Sequence, residues 1–161
     1  ASDTASSWDV VSDTLTHYEK MGRSFDRVML LQPTSPLRTV EDIRNAFALM
    51  AEKRAGAIVS VCEVEHSPLW CNTLPADGCM RDFIAPQAKR PRQSLPVHYR
   101  INGAIYLLNV ALFMERGMQY DSNCFAYVMP QERSIDIDTQ HDFIIANAIL
   151  MDKENREPIC K

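Results

Sequence analysis

The clearest signal of fold class is the segment VMLLQPTSPLRTVEDIRNAFALMAEKRAGAIVSVCEV, which runs from Val28 to Val64. It opens with a continuous apolar run, which is typical of a strand buried on both faces of a sheet. A helix is expected from about Val40 to Arg54, since Thr39 and Asp42 have the spacing of a capping box. The valine-rich stretch Ala57–Val64 predicts the next strand. Strand, helix and strand in this order predict an α/β fold with a parallel crossover.

The flanking sequence predicts further elements of the same kind. Tyr99–Leu108 and Phe125–Met129 are expected to be strands, with a short helix around residues 109–115 and a final helix from Gln140 to about Lys153. Apolar residues spaced by three and four predict the buried faces of two helices. In the first helix they are Trp8, Val11, Leu15 and Tyr18, and in the helix of residues 40–54 they are Val40, Ile43, Phe47 and Met50.

The stretch from His66 to Pro96 breaks this regular pattern. Asp77-Gly78 indicates a tight turn between two short strands, and a loop with three prolines and three cations follows, the cations being Lys89, Arg90 and Arg92. We expect the stretch to leave the sheet and to pack against another subunit. A run of charges is usually solvated, although in an acidic protein a local basic loop also suits a small anion.

Length and composition limit the possible classes of function. The chain has 161 residues, enough for one domain with its own core, and a net charge of −4, which argues against a nucleic-acid-binding protein. No apolar run approaches the roughly 18 residues that a membrane span requires. Its five cysteines form no C-x-x-C pair. We therefore expect free thiols and a cytoplasmic protein.

A first group of candidate binding residues follows the first strand. Gln32, Thr34, Ser35 and Arg38 lie where ligands bind in open α/β sheets, outside the carboxyl ends of the strands. Pro33 and Pro36 stiffen this loop, which reduces the entropy lost on binding. The alternative is an ordinary proline-rich connection, because turn chemistry already accounts for proline and serine.

A second group is the segment Ser134–Thr139, which reads SIDIDT. If it is extended, Asp136 and Asp138 share one face while the two isoleucines point to the other. Two carboxylates on one face suit Mg²⁺, which binds few protein oxygens and keeps several waters. The alternative is that Asp138 or Thr139 caps the final helix.

A third group lies at the start of the strand of residues 99–108. Arg100 and Asn102 are two residues apart and could together hold a carboxylate, which a guanidinium binds bidentately. Gly103 would let a ligand or another backbone approach closely. The alternative is a solvated strand face with a bulge at the glycine.

Three longer strings that contain these groups resemble one family. They are LLQPTSPLR (Leu30–Arg38), RINGAIY (Arg100–Tyr106) and SIDIDTQHDF (Ser134–Phe143), and they are similar, in the same order, to motifs of the N-acylneuraminate cytidylyltransferases. The resemblance implies a Rossmann-like, mixed and mostly parallel sheet flanked by helices, of the nucleotide-diphospho-sugar transferase type. It also implies that CTP and a nonulosonic (sialic) acid react to give a CMP-sugar and pyrophosphate.

The resemblance also implies roles for individual residues. Asp136 and Asp138 would be catalytic and hold Mg²⁺, Gln32 and Arg100 would hold the acid, Asn102 and Phe125 would shape its pocket, and Ser7 would lie at the nucleotide. The stretch of residues 66–96 would form a dimerisation excursion in a homodimer. Neither nucleic acid nor a membrane is implied as a partner.

Two departures from the family pattern set further expectations. No string here matches the phosphate-binding I-P-A-R-x-G-S-K loop, so we expect residues 1–161 to be a single cytidylyltransferase domain without its N-terminal nucleotide-binding segment, and inactive alone. The alternative is a non-catalytic fragment that folds and dimerises. Where family members often have paired aromatics, this chain has Phe125-Ala126, which leaves sialic, pseudaminic and legionaminic acids open as substrates.

Overall fold

The computed structural model of the chain describes residues 6–156. Four helices and four strands occur in this range, with four single 3-10 turns between them. In chain order the helices and strands are α1 (Ser7–Lys20), β1 (Arg27–Leu30), α2 (Val40–Lys53), β2 (Ala57–Glu63), β3 (Tyr99–Asn109), α3 (Val110–Arg116), β4 (Cys124–Val128) and α4 (Gln140–Arg156). Each of these elements was expected from the sequence, with bounds that differ by a few residues at most.

The four strands form one mixed sheet in the order β1-β3-β2-β4. Strand β3 runs antiparallel to both of its neighbours, whereas β4 pairs with β2 in parallel. Strands β1, β2 and β4 therefore point the same way, which confirms the mixed, mostly parallel α/β architecture. The expectation that Val28–Leu31 is buried on both faces is wrong, because among residues 6–156 β1 pairs only with β3 and its apolar residues are half-buried.

Helices cover both faces of the sheet. On one face, α2 packs through Ala46 and Met50 against Ile58, Ile105 and Leu107. On the other face, α1 and α3 contribute a second cluster, whose buried members are Val11, Leu15, Ala57, Leu108 and Phe113. The predicted face of α1 is confirmed, because Val11 and Leu15 are buried and Trp8 packs against them. The domain is thus a three-layer arrangement with the sheet in the middle.

The predicted core face of α2 is partly wrong. The capping box of Thr39 and Asp42 is present, and Met50 is buried, but Val40 is 65% exposed and Phe47 is 38% exposed. The face that meets the sheet instead includes Asp42, which is only 1% exposed. Its carboxylate faces inward, where it is bonded to Arg133, an arginine far along the chain.

The stretch of residues 66–96 leaves the sheet as expected, but the two short strands predicted around Asp77-Gly78 do not form. A turn is closed there by a hydrogen bond from Gly78 N to Pro75 O of 2.9 Å. The chain on either side has no strand beside it to extend, and side-chain bonds from Asn72 Nδ2 to Phe83 O (3.2 Å) and from Trp70 Nε1 to Ala88 O (3.1 Å) link the two sides. The stretch instead contains the 3-10 turns Pro68–Trp70, Pro86–Ala88 and Arg92–Ser94.

Two further expectations concern the whole chain. Four of the five cysteines are free thiols, namely Cys62, Cys71, Cys79 and Cys124, and Cys160 lies outside the described residues. No helix between residues 6 and 156 combines the length and the apolar character needed to cross a membrane.

Candidate active site

The three groups of candidate residues meet beside the carboxyl ends of β1, β2 and β4. Ser35 Oγ donates to Asn102 O at 3.0 Å, and Asn102 Nδ2 donates to Ser134 Oγ at 2.8 Å. Thr34 O accepts from Ile137 N at 2.8 Å. The loop after β1, the start of β3 and the segment after β4 are therefore bonded to one another. This is the edge at which ligands bind in open α/β sheets.

A bulge in β3 creates the meeting point. Val59 pairs with Tyr106 and Val61 pairs with Ile101, so that residues 102–105 of β3 lie opposite Ser60 alone. The Ser60 hydroxyl occupies the gap, since its Oγ donates to Asn102 Oδ1 at 2.6 Å and accepts from Ile105 N at 2.7 Å. Bulges of this kind redirect side chains and often lie next to active sites.

Asn102 is the centre of this network. It is 1% exposed, and its Oδ1 accepts from both Ser60 Oγ and Ala104 N. Its Nδ2 donates to Ser134 Oγ and also lies 3.5 Å from Met129 Sδ. An amide side chain has two donors and two acceptor positions, and all four are in use. Asn102 therefore holds the backbone of the site together, and the alternative of a solvated strand face is wrong at this position.

Gly103 and Gln32 are in close contact. Gly103 has a φ of +71°, and a Cβ at this position would collide with the amide oxygen of Gln32. The same Cβ would lie 3.1 Å from Ser35 Oγ. The glycine is thus needed both for the backbone conformation and for the half-buried Gln32 side chain to lie against β3.

We predict that Gly103→Ala lowers the free energy of unfolding by about 2 kcal/mol, since the strain of a left-handed residue is increased by the collision with Gln32. Gly78→Ala is the matched control, because Gly78 has a φ of +67° and nothing lies within 4 Å of the added Cβ. It is expected to cost only the backbone strain, about 1 kcal/mol. Urea unfolding of both variants checks this, and equal losses would contradict the proposed contact.

Arg38 and Arg100 play different parts. One guanidinium nitrogen of Arg38, NH1, donates to the carbonyl oxygens of Gln32 (2.9 Å), Ser35 (2.8 Å) and Ala104 (3.3 Å), and burial lowers its pKa. Arg38 therefore fastens the loop to β3. Arg100 NH2 donates to Ser134 O at 3.2 Å, and the half-buried guanidinium has further N–H groups with which to bind an anion.

The two aspartates of the third motif are not used as helix caps. Asp136 Oδ1 is buried and has no hydrogen-bond partner among the described residues. Asp138 is exposed, and no hydrogen bond to its carboxylate occurs within residues 6–156. The cap of α4 is Thr139, whose N and Oγ1 donate to Asp142 Oδ2 at 2.8 and 2.7 Å. Both aspartate carboxylates remain available for a ligand.

This pair of carboxylates fits Mg²⁺ in its donor atoms. Within the described part of the chain, no three or more His, Cys, Asp or Glu side chains are grouped so that they could hold a metal ion. An ion bound only by protein atoms is therefore not provided for by these residues. Mg²⁺ typically uses one or two carboxylates together with waters and substrate phosphates, and an unpartnered buried carboxylate oxygen such as Asp136 Oδ1 suits it.

Tyr106 is a part of the site that sequence reasoning missed. The ring is 9% exposed and meets Trp8 edge to face, with the ring centroids 5.3 Å apart. Burial raises the pKa of Tyr106, and the charges of Tyr120 and Asp136 add to this. The Asp136 carboxylate is thus one of the charges that act on Tyr106. In the sequence it is one of several apolar residues of β3, so only its position in the fold distinguishes it.

Ser7 and Phe125 lie outside the hydrogen-bonded network of the three motifs. Ser7 is the exposed first residue of α1, and the next residue, Trp8, contacts Tyr106. Phe125 packs against the core on the α2 side and also borders a cleft of about 210 Å³ that includes Tyr120. Neither is hydrogen-bonded through its side chain to the three motifs.

Comparison with known proteins provides relatives that match most of the chain, although no protein-family model matches it. The chain is 34% identical over 144 residues to an N-acylneuraminate cytidylyltransferase of Streptococcus agalactiae serotype V. The aligned region covers 89% of this chain and 34% of that protein. It is 31% identical over 160 residues to the Escherichia coli O18:K1:H7 protein of the same name, covering 99% of this chain and 37% of the relative.

A third relative matches a larger share of its own length. This is the CMP-N,N'-diacetyllegionaminic acid synthase of Legionella pneumophila, 30% identical over 158 residues, which covers 93% of this chain and 65% of the relative. The chain thus spans about a third of the length of the first two relatives and about two thirds of this one.

Proposed function

The chain is homologous over about nine tenths of its length or more to the N-acylneuraminate cytidylyltransferases, and on this premise we propose that it forms part of such an enzyme. The reaction joins CTP and an N-acylneuraminate to give CMP-N-acylneuraminate and pyrophosphate. The observation that carries the proposal is the hydrogen-bonded meeting of three motifs around Asn102, with the unpartnered carboxylate oxygen of Asp136 beside them.

Arg100 and Gln32 are proposed to bind the acid. The half-buried guanidinium of Arg100 is held by Ser134 O at one nitrogen, so its remaining N–H groups can hold the substrate carboxylate. The amide of Gln32, placed against Gly103, can exchange hydrogen bonds with the hydroxyl and acyl groups of the sugar. Phe125 borders the neighbouring cleft and would limit its shape.

Asp136 and Asp138 are proposed to hold Mg²⁺, which when bound neutralises charge on the phosphate oxygens. The anomeric hydroxyl oxygen of the acid would form a bond to the α-phosphorus and give its proton to solvent water, while the bond between the α-phosphorus and the pyrophosphate leaving group breaks. The residues of this chain contribute by orientation, because they hold the acid and the phosphates in line for this displacement. Ser7, exposed in the first turn of α1 beside Trp8, is proposed to contact the nucleotide.

Pyrophosphate release tests the proposed reaction. The protein that contains this chain is incubated with CTP, Mg²⁺ and N-acetylneuraminic acid, and release is expected only when all three are present. Release that does not need the acid, or transfer from another nucleoside triphosphate in preference to CTP, would contradict the proposal. The same assay on the 161-residue chain measures whether these residues suffice.

A related enzyme that activates legionaminic acid is the second candidate. The Legionella relative matches over a larger share of its length than the streptococcal one, 65% against 34%. Replacing N-acetylneuraminic acid by N,N'-diacetyllegionaminic and pseudaminic acids in the same assay separates the alternatives. The preferred substrate is the acid with the highest kcat/KM.

We further propose a cytoplasmic homodimer. The four free thiols suit a reducing compartment. The stretch of residues 66–96 leaves the sheet and exposes apolar side chains such as Leu74 and Met80, which are 61% and 59% exposed.

We predict that the chain is a dimer in light scattering at high protein concentration, and that Leu74→Asp together with Met80→Asp shifts it to monomer. The reason is that two charges in an apolar interface would be buried without partners. Val97→Asp, a change of the same kind at an exposed apolar residue just outside the stretch, is the control. A monomeric mass for the unchanged chain would contradict the prediction.

A further inference from the structure

We propose that Asp42 and Arg133 form a clamp that positions Asp136, and that both are positioning residues of the candidate active site. What Asp136 does there rests on the proposed function, but the clamp itself can be tested separately. Neither residue belongs to the three motifs that the sequence singled out.

The clamp is a bidentate ion pair in the interior. Arg133 Nε donates to Asp42 Oδ2 at 3.0 Å, and Arg133 NH2 donates to Asp42 Oδ1 at 2.8 Å. Parallel bonds of this kind fix direction as well as distance. The side chain of Asp42 is 1% exposed and that of Arg133 is 27% exposed, so water screens the pair only weakly.

Asp42 has other partners that make it a fixed point. Its Oδ2 accepts from Thr39 N and Thr39 Oγ1, both at 2.8 Å, and Tyr127 OH donates to its Oδ1 at 3.1 Å. Burial alone would raise the pKa of Asp42, but the hydrogen bonds from Arg133 and Thr39 outweigh it and lower the pKa to about 2. The carboxylate is therefore ionised and tied to both α2 and β4.

Arg133 connects the firmly held Asp42 carboxylate to the candidate active site. It ends the 3-10 turn Gln131–Arg133, and the next residue, Ser134, is fully buried and bonded to Asn102. Ile137 N donates to Thr34 O. Asp136 is therefore held from both sides, by Arg133 and Ser134 before it and by Ile137 after it.

The geometry allows the clamp to be removed without removing α2. If Arg133 is replaced, Asp42 keeps its bonds from Thr39 and Tyr127, so the helix cap remains. The substitution removes the link between α2 and residue 133, which sets the direction of residues 133–136. A purely structural ion pair would instead affect the stability of the whole domain evenly.

The test compares Arg133→Gln, Arg133→Lys and, as a control, Arg116→Gln in the 161-residue chain. Arg116 pairs with Asp121 at 3.1 Å, away from the three motifs. The first readout is amide hydrogen exchange of Ile137 relative to Leu107 in β3. Arg133→Gln is expected to speed exchange at Ile137 about 10-fold more than at Leu107, because a local opening adds to the general loss of stability caused by the unpaired Asp42 charge.

The second readout is the binding of Mn²⁺ together with CTP, followed by electron paramagnetic resonance in the protein that contains this chain, because such an ion also uses substrate phosphates. Arg133→Gln is expected to weaken binding about 10-fold, as loss of residues that orient metal ligands does. Arg133→Lys should recover only part of this, since one ammonium cannot bond both oxygens, and Arg116→Gln should change nothing.

Unchanged exchange at Ile137, or equal acceleration at Leu107, would overturn the clamp. If Arg133→Gln does not fold, Asp42→Asn takes its place, since it removes the charge of the pair but keeps an acceptor for Thr39. Failure of the protein that contains this chain to bind Mn²⁺ beyond what CTP binds alone would contradict the proposed metal site, whereas the exchange measurement would still decide the clamp.

Discussion

Asp136→Asn is expected to lower kcat for pyrophosphate release by about two orders of magnitude or more at saturating Mg²⁺, in the protein that contains this chain. Asp136 Oδ1 is buried and has no partner within residues 6–156. A buried carboxylate oxygen that lacks a protein partner favours an accompanying cation. The amide is neutral and nearly the same size, so the substitution removes the charge with little change in packing.

The control for this prediction is Asp13→Asn, at an exposed carboxylate on α1. It is expected to leave kcat unchanged, and thermal unfolding followed by circular dichroism would show that both variants fold. If Asp136→Asn retains a near-normal rate, the pair of carboxylates is structural and the proposed metal site is wrong.

Asn102→Ala is expected to lower the free energy of unfolding by about 3 kcal/mol. The buried amide joins Ser60, Ala104 and Ser134 by hydrogen bonds. Truncation leaves Ala104 N without a partner and opens a space between β2, β3 and the segment after β4. Buried polar groups that lose a partner cost more than the bond itself contributed.

Urea unfolding measures this loss through the shift of the midpoint at an unchanged slope. Asn147→Ala is the control, because Asn147 is exposed on α4 and its side chain makes only a long contact of 3.9 Å to Met151 Sδ. It should change the stability by less than about 0.5 kcal/mol. A loss below about 1 kcal/mol for Asn102→Ala would show that the network does not hold the site together.

Much of the fold could be predicted because its signals are local. The apolar spacing in residues 8–18 predicts the buried face of α1, and Thr39 with Asp42 predicts the start of α2. The family resemblance also assigned the three motifs to one site, and in the structure they meet at the edge where ligands bind in open α/β sheets. The two strands predicted around Gly78 did not form, because turn residues alone do not supply a neighbouring strand.

Side-chain roles within the motifs were harder to predict. Asn102 was expected to face a ligand, yet the bulge in β3 turns it inward to Ser60. Arg38 was expected to be a cation that faces a ligand, yet its guanidinium donates hydrogen bonds to three carbonyl oxygens of the protein. In both cases the residue type indicated a polar partner, but only the fold decided whether that partner belongs to the protein or to a ligand.

Local sequence patterns were enough to predict the succession of strands and helices along the chain, the capping of α2 and three segments rich in binding groups. The tertiary structure alone decided that Asp42 faces Arg133, 91 residues away, and that Ser60 reaches Asn102, 42 residues away. The physical reason is that hydrophobic spacing and capping act over one or two turns of chain. A hydrogen bond between distant residues depends on how the sheet pairs and bulges, and no local pattern records this.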